Sequence, residues 1–188
     1  MRVAITGTPG TGKTTATAAL ESRFAESDSD SKTGAVSVDG STLEVVHLNE
    51  LLEDEELYTE VDEDRQSKVA DMDALEARLE GQDDVLIESH LAHHFEADRV
   101  AVLRCEPDLL EKRLEERGES PEKASENAES EALDVILGEA VDRHGLESVY
   151  EIDTTDSRPD DVADALEAVV SGEREPGAGE VDFMGYLT

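Results

Sequence analysis

Apolar residues occur along this chain in two alternating patterns, short continuous runs and stripes that repeat every three or four residues. These runs predict five buried strands, three of them wholly apolar at residues 3–5, 85–87 and 100–103, and two with isolated polar residues at 43–48 and 149–152. The stripes between them predict amphipathic helices. Because strands that alternate with helices usually form a parallel sheet covered on both faces, we predict a three-layer α/β fold with a five-stranded parallel sheet.

The remaining segments divide the chain into one domain and a tail. A polar connection is expected at residues 27–33 and a charged loop at 61–67, and Val36 and Val38 give a weak signal for an extra strand. Residues 172–179 read as a linker before a small apolar tail, so the domain is placed at 1–171 and the tail at 172–188. The stripes place helices at residues 16–26, 49–58, 72–79, 109–117, 133–141 and 162–170.

The first predicted strand runs directly into Gly7-Thr-Pro-Gly-Thr-Gly-Lys-Thr14. This is the complete phosphate-loop pattern of P-loop NTPases, two glycines separated by four residues and followed by Lys and Thr. Glycine lets the backbone turn so that successive N–H groups face one anion, and the next helix adds its positive end. Lys13 would reach the β- and γ-phosphates, and the Thr14 hydroxyl would ligate Mg²⁺. The candidate nucleotide-binding residues are therefore Gly10, Gly12, Lys13, Thr14 and Thr15.

The net charge of −33, from 49 acidic and 16 basic residues, changes the expectation about partners and surroundings. Non-specific binding to nucleic acid needs a basic face, and the sequence contains no basic run, so we expect none. A dense carboxylate surface is typical of a protein that works in concentrated salt, where screening removes self-repulsion. An acidic scaffold protein is the alternative, which the clear strands and helices disfavour.

The single cysteine and the hydropathy indicate a cytoplasmic protein. Cys105 excludes an internal disulfide, and its place in a strand-like run favours a buried, inert thiol. No apolar stretch approaches the ~20 residues needed to cross a membrane, and no secretory signal is evident.

Acidic and imidazole side chains follow the third predicted strand. Glu88 stands at the strand end where a carboxylate usually holds Mg²⁺, so Glu88 and Thr14 are the candidate metal ligands. His90 would position an acceptor phosphate or a water and is a candidate catalytic residue. His90, His93 and His94 also have the spacing of zinc ligands, an alternative weakened by the lack of a fourth ligand.

Two arginines share one face of the helix after the fourth strand. Arg113 and Arg117 are four residues apart, and their guanidinium groups suit the charge of a transferring phosphoryl group, so both are candidate catalytic residues. Pairing with neighbouring glutamates is the alternative. Arg65 is a further candidate for the acceptor phosphate. The Asn-Lys-x-Asp motif of GTPases does not occur.

Taken together, these motifs resemble the adenylate kinase isoenzyme 6 (CINAP-type) family. The resemblance extends from residue 1 to about 170 and is carried by residues 7–15, 62–65, 88–90 and 113–118 together with Lys123, Glu126 and Asn127. It implies an adenylate-kinase-like core, a monophosphate-binding segment near 47–70, and a short lid at about 116–126. Arg117 matches the lid arginine that contacts ATP. The chain departs from the family in having Glu88 where Asp is common, and Glu119 after Gly118 where Tyr is frequent.

The resemblance implies ATP and Mg²⁺ as cofactors and a nucleoside monophosphate kinase that converts ATP and AMP to two ADP, with additional ATPase activity. It also implies maturation of the small ribosomal subunit, through a complex with a small-subunit ribosomal protein. We expect that partner to be basic, because a surface this acidic repels RNA phosphates. Two alternatives remain at this point: an ATPase that moves a ribosomal partner, and a nucleotide-gated binding module with negligible turnover.

Overall fold

The computed structural model describes residues 1–27, 34–38, 41–62 and 67–188. Predictions for residues 28–33 and for Arg65 lie outside these ranges. None of the helices within them is long and apolar enough to cross a bilayer.

The described chain forms a six-stranded sheet in the order β2-β3-β6-β1-β7-β8 and a separate hairpin, β4-β5. The strands are β1 (Arg2–Thr6), β2 (Ala35–Val38), β3 (Ser41–His47), β4 (Tyr58–Asp62), β5 (Ser67–Ala70), β6 (Val85–Glu88), β7 (Arg99–Arg104) and β8 (Val149–Asp153). The helices are α1 (Lys13–Ser27), α2 (Leu48–Asp54), α3 (Met72–Leu79), α4 (Pro107–Glu116), α5 (Pro121–Ala132), α6 (Val135–His144) and α7 (Pro159–Ser171). Short 3-10 helices occur at Ala92–His94, Leu146–Ser148 and Met184–Leu187.

The three-layer α/β prediction is confirmed, but the sheet has six strands rather than five. The five predicted strands all pair in parallel, and β2 adds an antiparallel edge strand beside β3. Val36 and Val38 point into the core and are 0% and 7% exposed. A four-residue strand gives only two inward-facing positions, which is why its sequence signal is weak.

The segment after α2 differs from its prediction. A helix was expected to reach residue 58, but α2 ends at Asp54, and Glu56 with φ of +56° reverses the chain into the β4-β5 hairpin. Of the charged loop predicted at 61–67, residues 61, 62 and 67 belong to these two strands, and residues 63–66 lie outside the described ranges. This segment has few apolar residues among many acidic ones, so its sequence shows no clear strand periodicity.

A second difference concerns α5, which was not predicted. Its buried face consists mainly of Ala124, Ala128 and Ala132, which contribute little hydrophobic contrast. The predicted lid at 116–126 is therefore the end of α4, a turn at Gly118 and the first part of α5. The helices expected at 72–79 and 162–170 are confirmed, and the one expected at 133–141 begins at Val135.

The core lies on both faces of the parallel sheet because successive strand residues point in opposite directions. Val3 and Ile5 face a cluster formed with α1 and α7, including Leu20 and Leu166. Ala4 faces the other cluster, formed with α2, α3 and α6. The carboxyl ends of the strands remain along one edge, where ligands of such sheets bind.

Candidate active site

The phosphate loop follows β1 in a conformation that favours glycine. Gly7 has φ of +138°, and a Cβ at this position would lie 2.3 Å from the carbonyl oxygen of Leu103 in β7. Gly10 has φ of +95°, and its missing Cβ would lie 3.3 Å from the Leu114 side chain of α4. The loop geometry agrees with the tight turn predicted for these glycines.

The Lys13 ammonium is buried within this loop. Its Nζ donates to the carbonyl oxygens of Gly7 and Thr8, at 2.8 and 3.0 Å. Burial lowers the pKa of Lys13 to about 8, an effect that the Glu88 and Glu131 carboxylates partly oppose. Because this ammonium is poorly solvated, a phosphate that enters the loop would stabilise its charge.

Thr14 and Glu88 lie together, as the sequence predicts for the metal ligands. The Thr14 hydroxyl donates to Glu88 Oε1 at 3.3 Å, and the Glu88 side chain is 4% exposed. A hydroxyl and a carboxylate are hard oxygen ligands of the kind that Mg²⁺ prefers, so the donor set fits this ion. Both residues adjoin Lys13, which would bind the same phosphates.

His47 also belongs to this group, and the sequence reasoning missed it. Its Nδ1 is 2.8 Å from Glu88 Oε2 and its Nε2 is 3.5 Å from Glu21 Oε2. The hydrogen bond to Glu88 is the main reason that the pKa of His47 is raised, and the Glu21 carboxylate acts in the same direction. Its position at the end of the predicted strand 43–48 was the available signal, because strand ends of a parallel sheet share one edge.

His90 lies just beyond β6 and is half-buried. Burial, followed by the nearby Lys13 charge, lowers the pKa of His90 to about 4. The imidazole is therefore neutral at pH 7, and can accept or donate a hydrogen bond without adding charge.

The three histidines weighed as a zinc site do not form that set. Among the described residues, the cluster with three potential metal-binding atoms within 4.8 Å consists of His93, His94 and Glu139, without His90. His93 Nδ1 lies 2.9 Å from Thr6 Oγ1 and its Nε2 lies 2.9 Å from Glu139 Oε2. The buried ring thus has a hydrogen-bond partner at each nitrogen.

Arg113 and Arg117 lie on the same side of the loop. Arg113 donates to Cys105 Sγ at 3.3 Å, and Arg117 is the exposed C-cap of α4. Within the described parts of the chain neither arginine forms a salt bridge, although Lys112 on the same helix pairs with Glu116. The surface pairing considered for them is therefore not observed there.

Two clefts flank the phosphate loop. The smaller, of about 360 Å³, is lined by Gly10, Gly12 and Thr15 of the loop region, by Arg113 and Arg117, and by Thr154 after β8. The larger, of about 1170 Å³, lies on the other side, and the residues that line it include Thr8, Asn49, Lys68, His90, Lys123 and Arg143. The sequence prediction had not included Lys68 or Arg143.

A buried ionic network contacts the phosphate loop. Arg104 is 1% exposed and pairs with Glu131 at 2.7 Å, with Glu151 at 2.6 Å, and with Asp134. Glu131 also accepts a 2.5 Å hydrogen bond from the Thr8 hydroxyl of the phosphate loop. Neighbouring Cys105 is fully buried, and burial raises the pKa of its thiol to about 11, which agrees with the predicted inert thiol.

Known proteins are similar in sequence to this chain over its full length. A family model described as an AAA domain matches residues 3–134. A protein of Natronomonas pharaonis named "Putative adenylate kinase" is 58% identical over 187 residues, covering 100% of both chains. The chain belongs to this adenylate kinase family. Proteins with the same name from Halobacterium salinarum and Methanocaldococcus jannaschii are 53% and 35% identical, and each alignment covers 100% of this chain and at least 98% of the other.

For this member of the adenylate kinase family, a solved structure supports the fold independently. The 1.7 Å crystal structure of shikimate kinase from Bacteroides thetaiotaomicron superposes with a TM-score of 0.54. It covers 90% of this chain and 98% of that chain at 17% identity, a similarity that shows the P-loop kinase fold alone. Family and fold together support a nucleotide-binding phosphotransferase that acts on a nucleoside monophosphate.

Proposed function

We propose that the protein transfers the γ-phosphoryl group of MgATP to AMP, giving two ADP. The observation that carries this proposal is the position of the phosphate loop, with Lys13 at its centre, between two separate clefts. A kinase for two nucleotides needs one site on each side of the transferring group, so that donor and acceptor oxygens align.

The smaller cleft suits the donor. The loop N–H groups and Lys13 would hold the β- and γ-phosphates, while Arg117 and the segment after β8 would enclose the nucleoside. We assign residues 116–126 as the lid, because the turn at Gly118 joins α4 to α5 directly beside Arg117, which lines this cleft. Arg113, with its weak partner Cys105, remains available to a phosphate.

The larger cleft suits the acceptor. The monophosphate-binding segment is assigned to residues 47–70, which include α2 and the described parts of the β4-β5 hairpin. Lys68, Lys123 and Arg143 line this cleft, as does His90. Lys68 pairs there with Glu53, and Lys123 pairs with Glu119 at 2.8 Å. In the proposed complex the acceptor phosphate would replace these glutamates as the partner of the two cations.

The chemistry is the formation of one bond and the breaking of another. An oxygen of the acceptor phosphate attacks the γ-phosphorus, and the bond to the β–γ bridging oxygen breaks, leaving its electrons on the first ADP. Thr14 and Glu88 would hold Mg²⁺, which would supply positive charge to the phosphates. Lys13 and Arg117 stabilise the charge that moves to the leaving oxygen, and closure of the lid excludes water.

A coupled assay tests the proposal. ADP formation from ATP is measured alone and with AMP, CMP, GMP or UMP, and AMP is expected to give the largest increase. Equal ADP formation with and without every monophosphate would make water the acceptor and the protein an ATPase.

Arg117 provides a sharper test of the donor site. If it stabilises the transition state, Arg117→Ala lowers kcat and kcat/KM together by about 10²–10³-fold, the loss expected for a preorganised donor. Lys112→Ala on the same helix is the matched control, because the ion pair that Lys112 forms in the described structure is an exposed one with Glu116. A change in KM alone would reduce Arg117 to a substrate-binding residue.

A second proposed role is in small ribosomal subunit maturation, with the ATPase or binding function dominant. It is favoured by Leu133 and Val135, which are 54% and 40% exposed at the α5–α6 junction of an otherwise acidic protein. An apolar centre within a carboxylate surface suits a basic ribosomal protein in a cytoplasm rich in salt.

Pull-down in molar KCl with ATP, ADP or no nucleotide tests this role. Recovery of a basic small-subunit protein that depends on nucleotide and is lost in Leu133→Asp is the expected result. Recovery of RNA without that protein would contradict it, and recovery of neither would leave the kinase alone.

A further inference from the structure

We propose that His47 is the positioning residue that fixes the Glu88 carboxylate in the orientation required to hold Mg²⁺ beside Thr14. The inference rests on the proposed function, because it adds a supporting residue to the same site. His47 does not touch the proposed substrates or metal, and acts through Glu88.

The sheet places the two side chains next to each other. In the parallel pairing of β3 and β6, His47 is in register with Glu88 at the carboxyl ends of both strands. His47 Nδ1 lies 2.8 Å from Glu88 Oε2, while Glu88 Oε1 lies 3.3 Å from the Thr14 hydroxyl. One carboxylate thus uses one oxygen for the imidazole and turns the other towards the predicted metal ligand.

The imidazole is itself held in place. Its other nitrogen, Nε2, lies 3.5 Å from Glu21 Oε2 on α1, the helix that begins with Lys13 and Thr14. The side chains of His47 and Glu21 are 20% and 18% exposed, so both are largely shielded from water. The ring therefore connects β6 to the helix that follows the phosphate loop.

The backbone position of His47 gives independent support. His47 is the N-cap residue of α2, a position that favours Ser, Thr, Asp or Asn, yet its side chain makes no capping hydrogen bond. The ring therefore does not stabilise the helix that it precedes. Its hydrogen bond to the nearly buried Glu88 carboxylate is its shortest polar contact in the described structure.

The physical consequence follows from the length of the Glu88 side chain. A glutamate has three rotatable bonds, and a metal site loses affinity when its carboxylate must be ordered on binding. A hydrogen bond to the second oxygen fixes that orientation beforehand. Loss of such outer contacts typically costs about 10–100-fold in metal affinity.

The test measures Mn²⁺ binding to the protein–ADP complex by electron paramagnetic resonance, a readout that does not depend on turnover. We expect the dissociation constant for Mn²⁺ to rise about tenfold in His47→Ala and His47→Ser. Serine restores an N-cap but cannot reach Glu88, so it separates helix capping from positioning. His47→Asn places an amide N–H near the position of Nδ1 and is expected to restore most of the affinity.

Three further variants decide the outcome. Glu88→Gln is expected to weaken Mn²⁺ binding. Adding His47→Ala to it should cause no further loss of affinity, because His47 acts only through the Glu88 carboxylate. His144→Ala, which alters another half-buried histidine that bonds the carbonyl oxygen of His93, should leave Mn²⁺ affinity unchanged. Circular dichroism melts establish that each variant is folded, and His47→Asn keeps the test informative if the alanine variant is not.

The possible failures are distinguishable. Unchanged Mn²⁺ affinity in folded His47→Ala, with weakened binding in Glu88→Gln, overturns the positioning role and leaves the proposed kinase intact. Unchanged affinity in Glu88→Gln overturns the positioning role and the metal assignment together. Loss of AMP-dependent ADP formation from the parent protein, with the Mn²⁺ results as expected, overturns the kinase reaction and not the role of His47.

Discussion

Lys13→Ala is expected to lower the rate of phosphoryl transfer by about a thousandfold or more, with the fold intact. The ammonium is buried in the phosphate loop, where its charge is poorly solvated and, in the proposed reaction, would lie against the transferring group. Preorganised charges of this kind contribute about 3–4 kcal/mol or more to transition-state stabilisation.

The same burial predicts little loss of stability. Because desolvation lowers the pKa of Lys13 to about 8, the charged form is disfavoured in the folded protein relative to the unfolded chain. Removing the ammonium therefore removes an unfavourable burial, and the melting temperature should stay level or rise. Steady-state kinetics and circular dichroism melts measure the two effects, with exposed Lys112→Ala as control. Turnover within tenfold of the parent would show that this loop is not the catalytic centre.

The sequence predicted the parts of the fold whose signal is local. The phosphate loop was evident because its glycines, Lys13 and Thr14 lie within eight consecutive residues, and the five parallel strands because their short runs are mostly apolar. Glu88 was found because it follows one of these runs directly. The high-salt interpretation of the acidic surface stays a prediction.

Features that depend on pairing across the chain were not predicted. His47 and Glu88 are 41 residues apart, and their contact is set by the register of β3 and β6. Arg104 looked like one more charged residue at a strand end, and only the packing of α5 places Glu131 against it. The alanine-rich α5 shows little hydrophobic contrast between its faces and was not predicted. The pairing of Arg104 with Glu131 was therefore not predicted either.

Arg104 is expected to be the side chain whose loss destabilises the protein most. Arg104→Met retains much of the volume but leaves Glu131 and Glu151, 3% and 6% exposed, without their shared cation. Breaking a buried ion pair by removing one partner typically costs about 3–5 kcal/mol. For a chain of this size that corresponds to a fall in melting temperature of roughly 10 °C.

The pH dependence of the variant separates this cause from simple loss of packing. Without Arg104 two carboxylates stay buried without their shared cation, and burial penalises a carboxylate mainly in its charged form. The missing stability is therefore partly recovered as pH falls, and urea titrations should show a smaller deficit at pH 5 than at pH 7.5. Arg158→Met, which breaks an exposed pair with Asp161, should show little change at either pH. A deficit that is the same at both pH values would mean that the network contributes packing rather than charge compensation.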